Sequence, residues 1–410
     1  MSRTLFFAIG VVILDAMGIG LLMPVLPDIL AQLQGIDPAR LQETHGENPI
    51  REIVGVGMWL TAVYMAMQFI CGPTLGNLSD RFGRRRVLLV SLFALGIDYL
   101  ILGFAGTVWV LFIGRILAGI AGATYGTAYA AVADMSSQGD KAKNFGFIGA
   151  GFGIGFILGP ALGGALAGLD ARAPIFAAAA LSFLNFGFGY FFFEETLAKH
   201  KRRVFSWTRA NPFGAFAQIR ALPHIQRWLL AAFIFGLTFT VYPAVWSYYG
   251  RVVAGWNAQD ISLSLAVIGV SFAFVQIVLL GPMVSRFGEQ RVLKIGIWAA
   301  LISFIGLGLA QNGWHIYLMV PASALAIVIN PMIQSLVSNA VGEDVQGEIQ
   351  GINTSIAAMS SVISPFIMVG SFWLATPAEP DAFRLPGTPF LICAALMIGL
   401  LFLVQRRKEG

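Results

Sequence analysis

Charge is what this chain has least of. Asp, Glu, Lys and Arg make up only 11% of its 410 residues, against 57% hydrophobic. Such a balance excludes a water-soluble globular protein, whose charged share is about 25%. Histidine is scarce as well: His45, His200, His224 and His315 are scattered without the spacing of a metal or catalytic constellation. An integral-membrane enzyme is therefore the weaker class, and no metal or cofactor is expected. Cys71 and Cys393 each stand alone in an apolar stretch and read as small buried hydrophobes. A leader cleavage signal is also missing. The first apolar stretch outruns a signal-peptide core and lacks a small-x-small site, so it is expected to stay as the first span.

What the chain has instead is apolar runs of about 20 residues, the length that crosses a bilayer as a helix. Twelve are predicted: Thr4–Leu26, Val54–Leu75, Val87–Gly106, Trp109–Ala133, Asn144–Gly168, Ile175–Phe193, Arg227–Tyr249, Ile261–Met283, Val292–Ala310, His315–Ala340, Gly351–Leu374 and Pro389–Val404. With loops assigned to alternate sides, 20 of the 26 Lys and Arg fall on the side that holds both termini. Arg40, Arg51, Arg172, Arg251 and Arg384 fall opposite. The bias places both termini in the cytoplasm. It also accounts for the net charge of +5 without a nucleic-acid partner.

The stretch 194–226 carries His200, Lys201, Arg202 and Arg203 and then Asn211-Pro212, and reads as a basic linker. It divides the chain into six-helix halves, 1–193 and 227–410. A repeat supports the division: Gly76–Leu88 matches Gly281–Leu293 at seven of thirteen positions, offset by 205 residues, and Pro160 falls on Pro365 at the same offset. The expected fold class is an all-α integral membrane protein of twelve transmembrane helices in two parallel halves. Such a bundle is complete as a monomer surrounded by lipid.

Three ionisable side chains lie inside apolar spans, Asp15, Asp98 and Arg115. Each costs about 2.5–3.5 kcal/mol at a helix centre on insertion scales, so each is expected to work for its place. Asp15 sits eleven residues from either end of its span, about 16 Å by helical rise, hence near mid-membrane. A carboxyl desolvated there can take up and release a proton. Asp98 and Arg115 flank the turn near Thr107 at similar depth. One reading makes them a buried ion pair that only joins helices; the other puts them on a solute or proton path.

Gly76–Arg86 must turn tightly, with Gly76 and Gly83 giving backbone freedom and Asp80, Arg81, Arg84 and Arg85 free to bind helix ends or one another. It reads as a conformational latch, or more simply as a positive-inside anchor. Asp134 is a candidate partner for its arginines. The second copy has Ser285 in place of Asp80, so a latch there would differ. Gly151, Gly155, Gly159 and Gly163 recur every four residues and leave one helix face bare for close packing. Polar and aromatic residues at helical spacing are candidate solute contacts: Gln68, Tyr242, Trp246, Tyr249, Gln276, Asn330 and Gln334. Amides of this kind also simply bridge helices, and aromatics anchor them at interfaces.

These residues carry a resemblance. Gly76–Arg86 resembles the signature loop of the major facilitator superfamily, and Arg115–Gly122 its helix-four motif. Gly155–Gly164, with Gly155, Gly159, Pro160, Gly163 and Gly164, looks like the helix-five signature associated with antiporters. Leu14–Pro27 with Asp98-Tyr99 resembles the tetracycline/proton antiporter group of twelve-helix drug exporters. The resemblance implies a proton-coupled exporter of a small amphipathic compound in the inner membrane, with Asp15 and Arg115 at the positions of the family's coupling acid and arginine. A uniporter or symporter of a sugar or lipid is the alternative. In the second half the chain departs from the group: its helix-nine acid falls on Ala300 and a helix-eight His on Phe272. Tetracycline is accordingly expected to be a weaker substrate than a more apolar compound.

Overall fold

The computed structural model describes residues 3–42, 49–122, 125–136, 141–207, 210–213, 225–340, 346–377 and 384–405. Linker positions 208–209 and 214–224, His45, His224 and the basic run Arg406–Lys408 lie outside them. Among the described residues the long elements are all helices. They are α1 (Arg3–Leu33), α2 (Ile50–Phe82), α3 (Arg84–Gly103), α4 (Val108–Met135), α5 (Lys141–Ala167) and α6 (Ala173–Phe192) in the first half. The second half has α7 (Gln226–Ala254), α8 (Ala258–Phe287), α9 (Glu289–Gly308), α10 (Gly313–Asn339), α11 (Gln346–Ala375) and α12 (Thr388–Gln405). Eleven are long and apolar enough to cross a membrane, and within α5 Gly153–Ala167 is a shorter apolar helix. Lipid offers no partner to a bare N–H or C=O, so each span closes its hydrogen bonds within itself.

Several helices outrun their apolar windows. α1 continues to Leu33 and α2 to Phe82, because polar turns also gain from closed backbone hydrogen bonds, whereas hydropathy marks only the part in lipid. α7 corrects one assignment. It runs to Ala254 and stops at Gly255, whose left-handed φ of 66° favours glycine. Arg251, read from the sequence as a loop residue on the far side, therefore lies in the last turn of α7 and is fully buried.

The repeat is exact in places. α3 and α9 begin and end 205 residues apart, Arg84–Gly103 against Glu289–Gly308. The first runs of α4 and α10 do the same, Val108–Ala121 against Gly313–Ala326. Gly83 and Gly288 precede α3 and α9 with φ 102°, ψ 152° and φ 75°, ψ 158°, a region open to glycine alone. That backbone requirement explains why both loop copies keep this glycine.

By packing, the chain divides into two compact units: Met1–Gly35 with Val63–Gly214 and Ala258–Ala266, and Ile36–Ala62 with Ala215–Asn257 and Val267–Gly410. In the first, the glycine face of α5 lies on α1. A Cβ on Gly159 would come within 2.7 Å of the Met17 carbonyl oxygen, and one on Gly163 within 3.3 Å of Leu21 Cα. Gly164 faces elsewhere: a Cβ there would lie 2.5 Å from the Ser262 Cβ of α8. In the second unit α7 holds α11 and α12 by short polar contacts. Ser360 and Ser364 donate to the carbonyls of Phe233 and Leu237, and the buried Cys393 thiol lies against that of Thr238.

The α1–α5 contact sets a stability test. Gly159→Ala forces a methyl into the α1 backbone and is expected to cost about 1–3 kcal/mol, as overpacking does. At Gly153 nothing lies within 4 Å of the added Cβ. Gly153→Ala should leave the melting temperature of the purified protein unchanged while Gly159→Ala lowers it.

Candidate functional site

α3 and α4 bring the intramembrane charges together. Arg115 Nη2 donates to Asp98 Oδ2 at 3.1 Å, with the Asp98 side chain wholly buried and Arg115 11% exposed. Gly114 makes the room: a Cβ there would sit 2.7 Å from Asp98 Oδ1. That second carboxylate oxygen is buried without a hydrogen-bond partner in the structure. Arg115 also lies over the Tyr64 ring of α2, 5.4 Å from its centroid. Gln68, one turn on, donates to the Tyr64 hydroxyl at 2.8 Å and to the Gly122 carbonyl at 3.3 Å, where the first run of α4 ends.

The cluster reaches α1 through Tyr99. Its hydroxyl lies against Gly18, where any side chain would collide with it, and Gly18 is one turn from Asp15 on the same helix face. Asp15 and Asp98 both act electrostatically on the Tyr64 and Tyr99 hydroxyls. Four helices therefore contribute to one polar cluster: Asp15, Tyr64, Gln68, Asp98, Tyr99 and Arg115. Sequence reasoning missed Tyr64, although an aromatic one turn before Gln68 was a usable signal.

A second cluster forms at the α2–α3 loop. Arg84, 9% exposed, is bound to Asp80 Oδ1 at 2.7 Å and to Asp134 Oδ2 at 3.1 Å, and it also donates to Ser79. Arg85 donates to the Tyr190 carbonyl at 2.6 Å, and Arg81 lies over the exposed Phe82 ring. Gly76, expected to free the turn, instead lies within helical α2 with open space around it, and the break falls at Gly83. At the repeat-related positions the charges change. Glu289 stands for Arg84 and Asn339 for Asp134, and the contact persists with donor and acceptor reversed: Asn339 donates to Glu289 at 3.3 Å, and Ser335 at 2.6 Å.

The same replacement occurs deeper. Ser303 stands where the first half has Asp98; it is fully buried and bonded to Ser323, and both hydroxyls meet Tyr242. Tyr242 and Trp246, expected among the solute contacts, are 6% and 1% exposed within an aromatic cluster of Phe304 and Phe390. Phe272 joins that cluster on Tyr242, and Ala300 is buried. Tyr249 is buried, its hydroxyl donating to the Leu307 carbonyl. Gln276 is exposed in a π-helical stretch of α8, Val275–Leu279. Asn330 and Gln334, also exposed, bond to each other at 3.4 Å. Gln68, also a candidate solute contact, belongs to the charged cluster.

A family model described as Major Facilitator Superfamily matches residues 8–365. The chain belongs to that superfamily. It is a multi-pass membrane transporter and not an enzyme. Among curated relatives, the class C tetracycline resistance protein of Escherichia coli is 37% identical over 90% of each chain. The class G tetracycline resistance protein of Vibrio anguillarum is 37% identical over 89% of each. The fold is shared with the human organic anion transporter MFSD10 (TETRAN), at a TM-score of 0.73 and 21% identity, covering 98% of this chain and 99% of that one.

The buried pair generates a cycle. Removing one member of a buried ion pair leaves its partner uncompensated, typically at about 3–5 kcal/mol. Asp98→Asn alone should therefore destabilise the transporter more than Asp98→Asn combined with Arg115→Gln. Thermal melts of the purified variants check this, and additive losses would contradict it.

Proposed function

We propose that the transporter is a proton-driven antiporter of the inner membrane that exports a small amphipathic, tetracycline-like drug by alternating access, with tetracycline itself carried less well than a more apolar compound. Both termini are then cytoplasmic, as the charge bias suggests. The observation that carries the reading is the four-helix polar cluster of Asp15, Tyr64, Gln68, Asp98, Tyr99 and Arg115. It is supported by relatives named for tetracycline resistance.

The chemistry is competition at Asp15. Asp98 is paired with Arg115 at 3.1 Å, and on this reading the exchangeable proton is carried by the other carboxylate, Asp15. When the site faces the acidic side, Asp15 takes a proton and substrate leaves. Facing the cytoplasm it loses that proton, and the carboxylate favours substrate again. Arg115, held by Asp98 and the Tyr64 ring, supplies a fixed positive field beside this exchange. The Asp80–Arg84–Asp134 cluster acts away from it as a latch that biases one conformation over the other.

Asp15→Asn keeps size and hydrogen bonding but cannot titrate. Uptake of tetracycline into inside-out vesicles energised by a pH gradient should collapse in this variant, while exchange down a tetracycline gradient survives. Wild-type accumulation by Asp15→Asn would refute the assignment. Wild-type uptake that is indifferent to the gradient would instead make the protein a uniporter.

A further inference from the structure

The loop between α2 and α3 leaves two helix ends to be satisfied, the carbonyls of the last turn of α2 and the amides of the first turn of α3. Gly83 precedes α3 without any side chain that could cap it. The missing groups come from the segment after α6. Glu195 Oε1 accepts from the Arg84 amide at 2.9 Å and from the Leu197 amide at 3.1 Å. Glu195 Oε2 is 3.8 Å from Arg202 Nη2. At the other helix end the Arg203 amide donates to the Asp80 carbonyl at 3.1 Å, and Asn77 donates to the Ser206 carbonyl. One stretch of linker thus closes both ends of the loop.

The placement of Glu195 follows from the chain around it. Residues 193–196 carry no regular structure, and Phe193 is extended. In an extended run alternate side chains share a face. Phe193 is buried with its ring 4.4 Å from that of Phe7 in α1, and Leu197 is buried as well. Glu195, between these two anchors, is held toward the loop. Gly83 receives it: a Cβ at that position would overlap the Glu195 carboxylate, with Cδ only 2.6 Å away. The glycine demanded by the backbone at φ 102° is therefore also the seat of the carboxylate. A carboxylate at a helix N-terminus gains from the exposed amides and the helix dipole.

We propose that Glu195 is a positioning residue for the latch, clamping the linker that leads to the second half onto the α2–α3 loop. Through the Arg84 backbone it fixes where the Arg84 guanidinium meets Asp80 and Asp134. The proposal rests on the latch reading above, and the test separates the two.

Full-length protein, purified into lipid nanodiscs, is digested briefly with trypsin, and cleavage after Lys199, Lys201, Arg202 and Arg203 is followed by mass spectrometry. Glu195→Ala should be cut there about fivefold faster, the scale of a lost helix cap. In proteoliposomes its maximal rate of tetracycline transport should fall severalfold with little change in half-saturation concentration. Glu195→Gln keeps the oxygen that both amides use, so it should stay near wild type in both assays. Wild-type cleavage of Glu195→Ala would overturn the clamp. Faster cleavage with wild-type transport would overturn its link to the latch, as would equal damage from Gln and Ala. Asp80→Asn, measured alongside, addresses the latch alone: wild-type turnover there removes the latch reading, while the cleavage result still decides whether Glu195 holds the linker.

Discussion

Asp98 and Arg115 face each other at 3.1 Å inside helices long and apolar enough to cross a membrane, and much of the first half is arranged around that pair. Neither charge could be held there alone at an acceptable cost. Gly114 leaves space for the carboxylate, the Tyr64 ring covers the guanidinium, and Tyr99 bridges to a helix that carries a glycine where the hydroxyl arrives. Small residues are placed where polar ones must enter. The pair therefore organises α1, α2, α3 and α4 into one polar site, and a second acid on α1 can respond to it.

Where the repeat is exact, its two copies share helix bounds and differ in their electrostatics. α3 and α9 coincide residue for residue at an offset of 205, as do the first runs of α4 and α10. Yet Asp98 becomes Ser303, Arg84 becomes Glu289 and Asp134 becomes Asn339. Each replacement keeps a contact and lowers or reverses the charge. The buried Ser303–Ser323 bond joins α9 to α10 as Asp98–Arg115 joins α3 to α4, with nothing to titrate near neutral pH. Where the repeat holds, the scaffold is kept and the buried charges stand in one copy alone among these positions.

How much of this was legible depended on the scale of the signal. Helix number, the repeat and the three membrane charges could be read because apolar runs and rare ionisable residues stand out against lipid-facing sequence. The Arg84–Asp134 contact was foreseeable from helix ends. Arg251 was misplaced, since hydropathy does not see that α7 gains another turn before Gly255. Tyr242 and Trp246 are 6% and 1% exposed in an aromatic cluster, a setting the sequence does not specify, because an aromatic stripe reads the same whether it lines a path or fills a core. Glu195 escaped notice because it meets Arg84 across 111 residues, and a capping group supplied by a distant segment leaves no local pattern.

On the proposed reading, proton exchange belongs to the first-half cluster and not to its neutral counterpart in the second. Its most direct test is the release of protons when tetracycline is added to the purified, weakly buffered transporter. The account predicts release from the wild type and from Ser303→Ala with Ser323→Ala, and none from Asp15→Asn. Release that persists in Asp15→Asn, or that vanishes when the two serines are replaced in a folded protein, would contradict it.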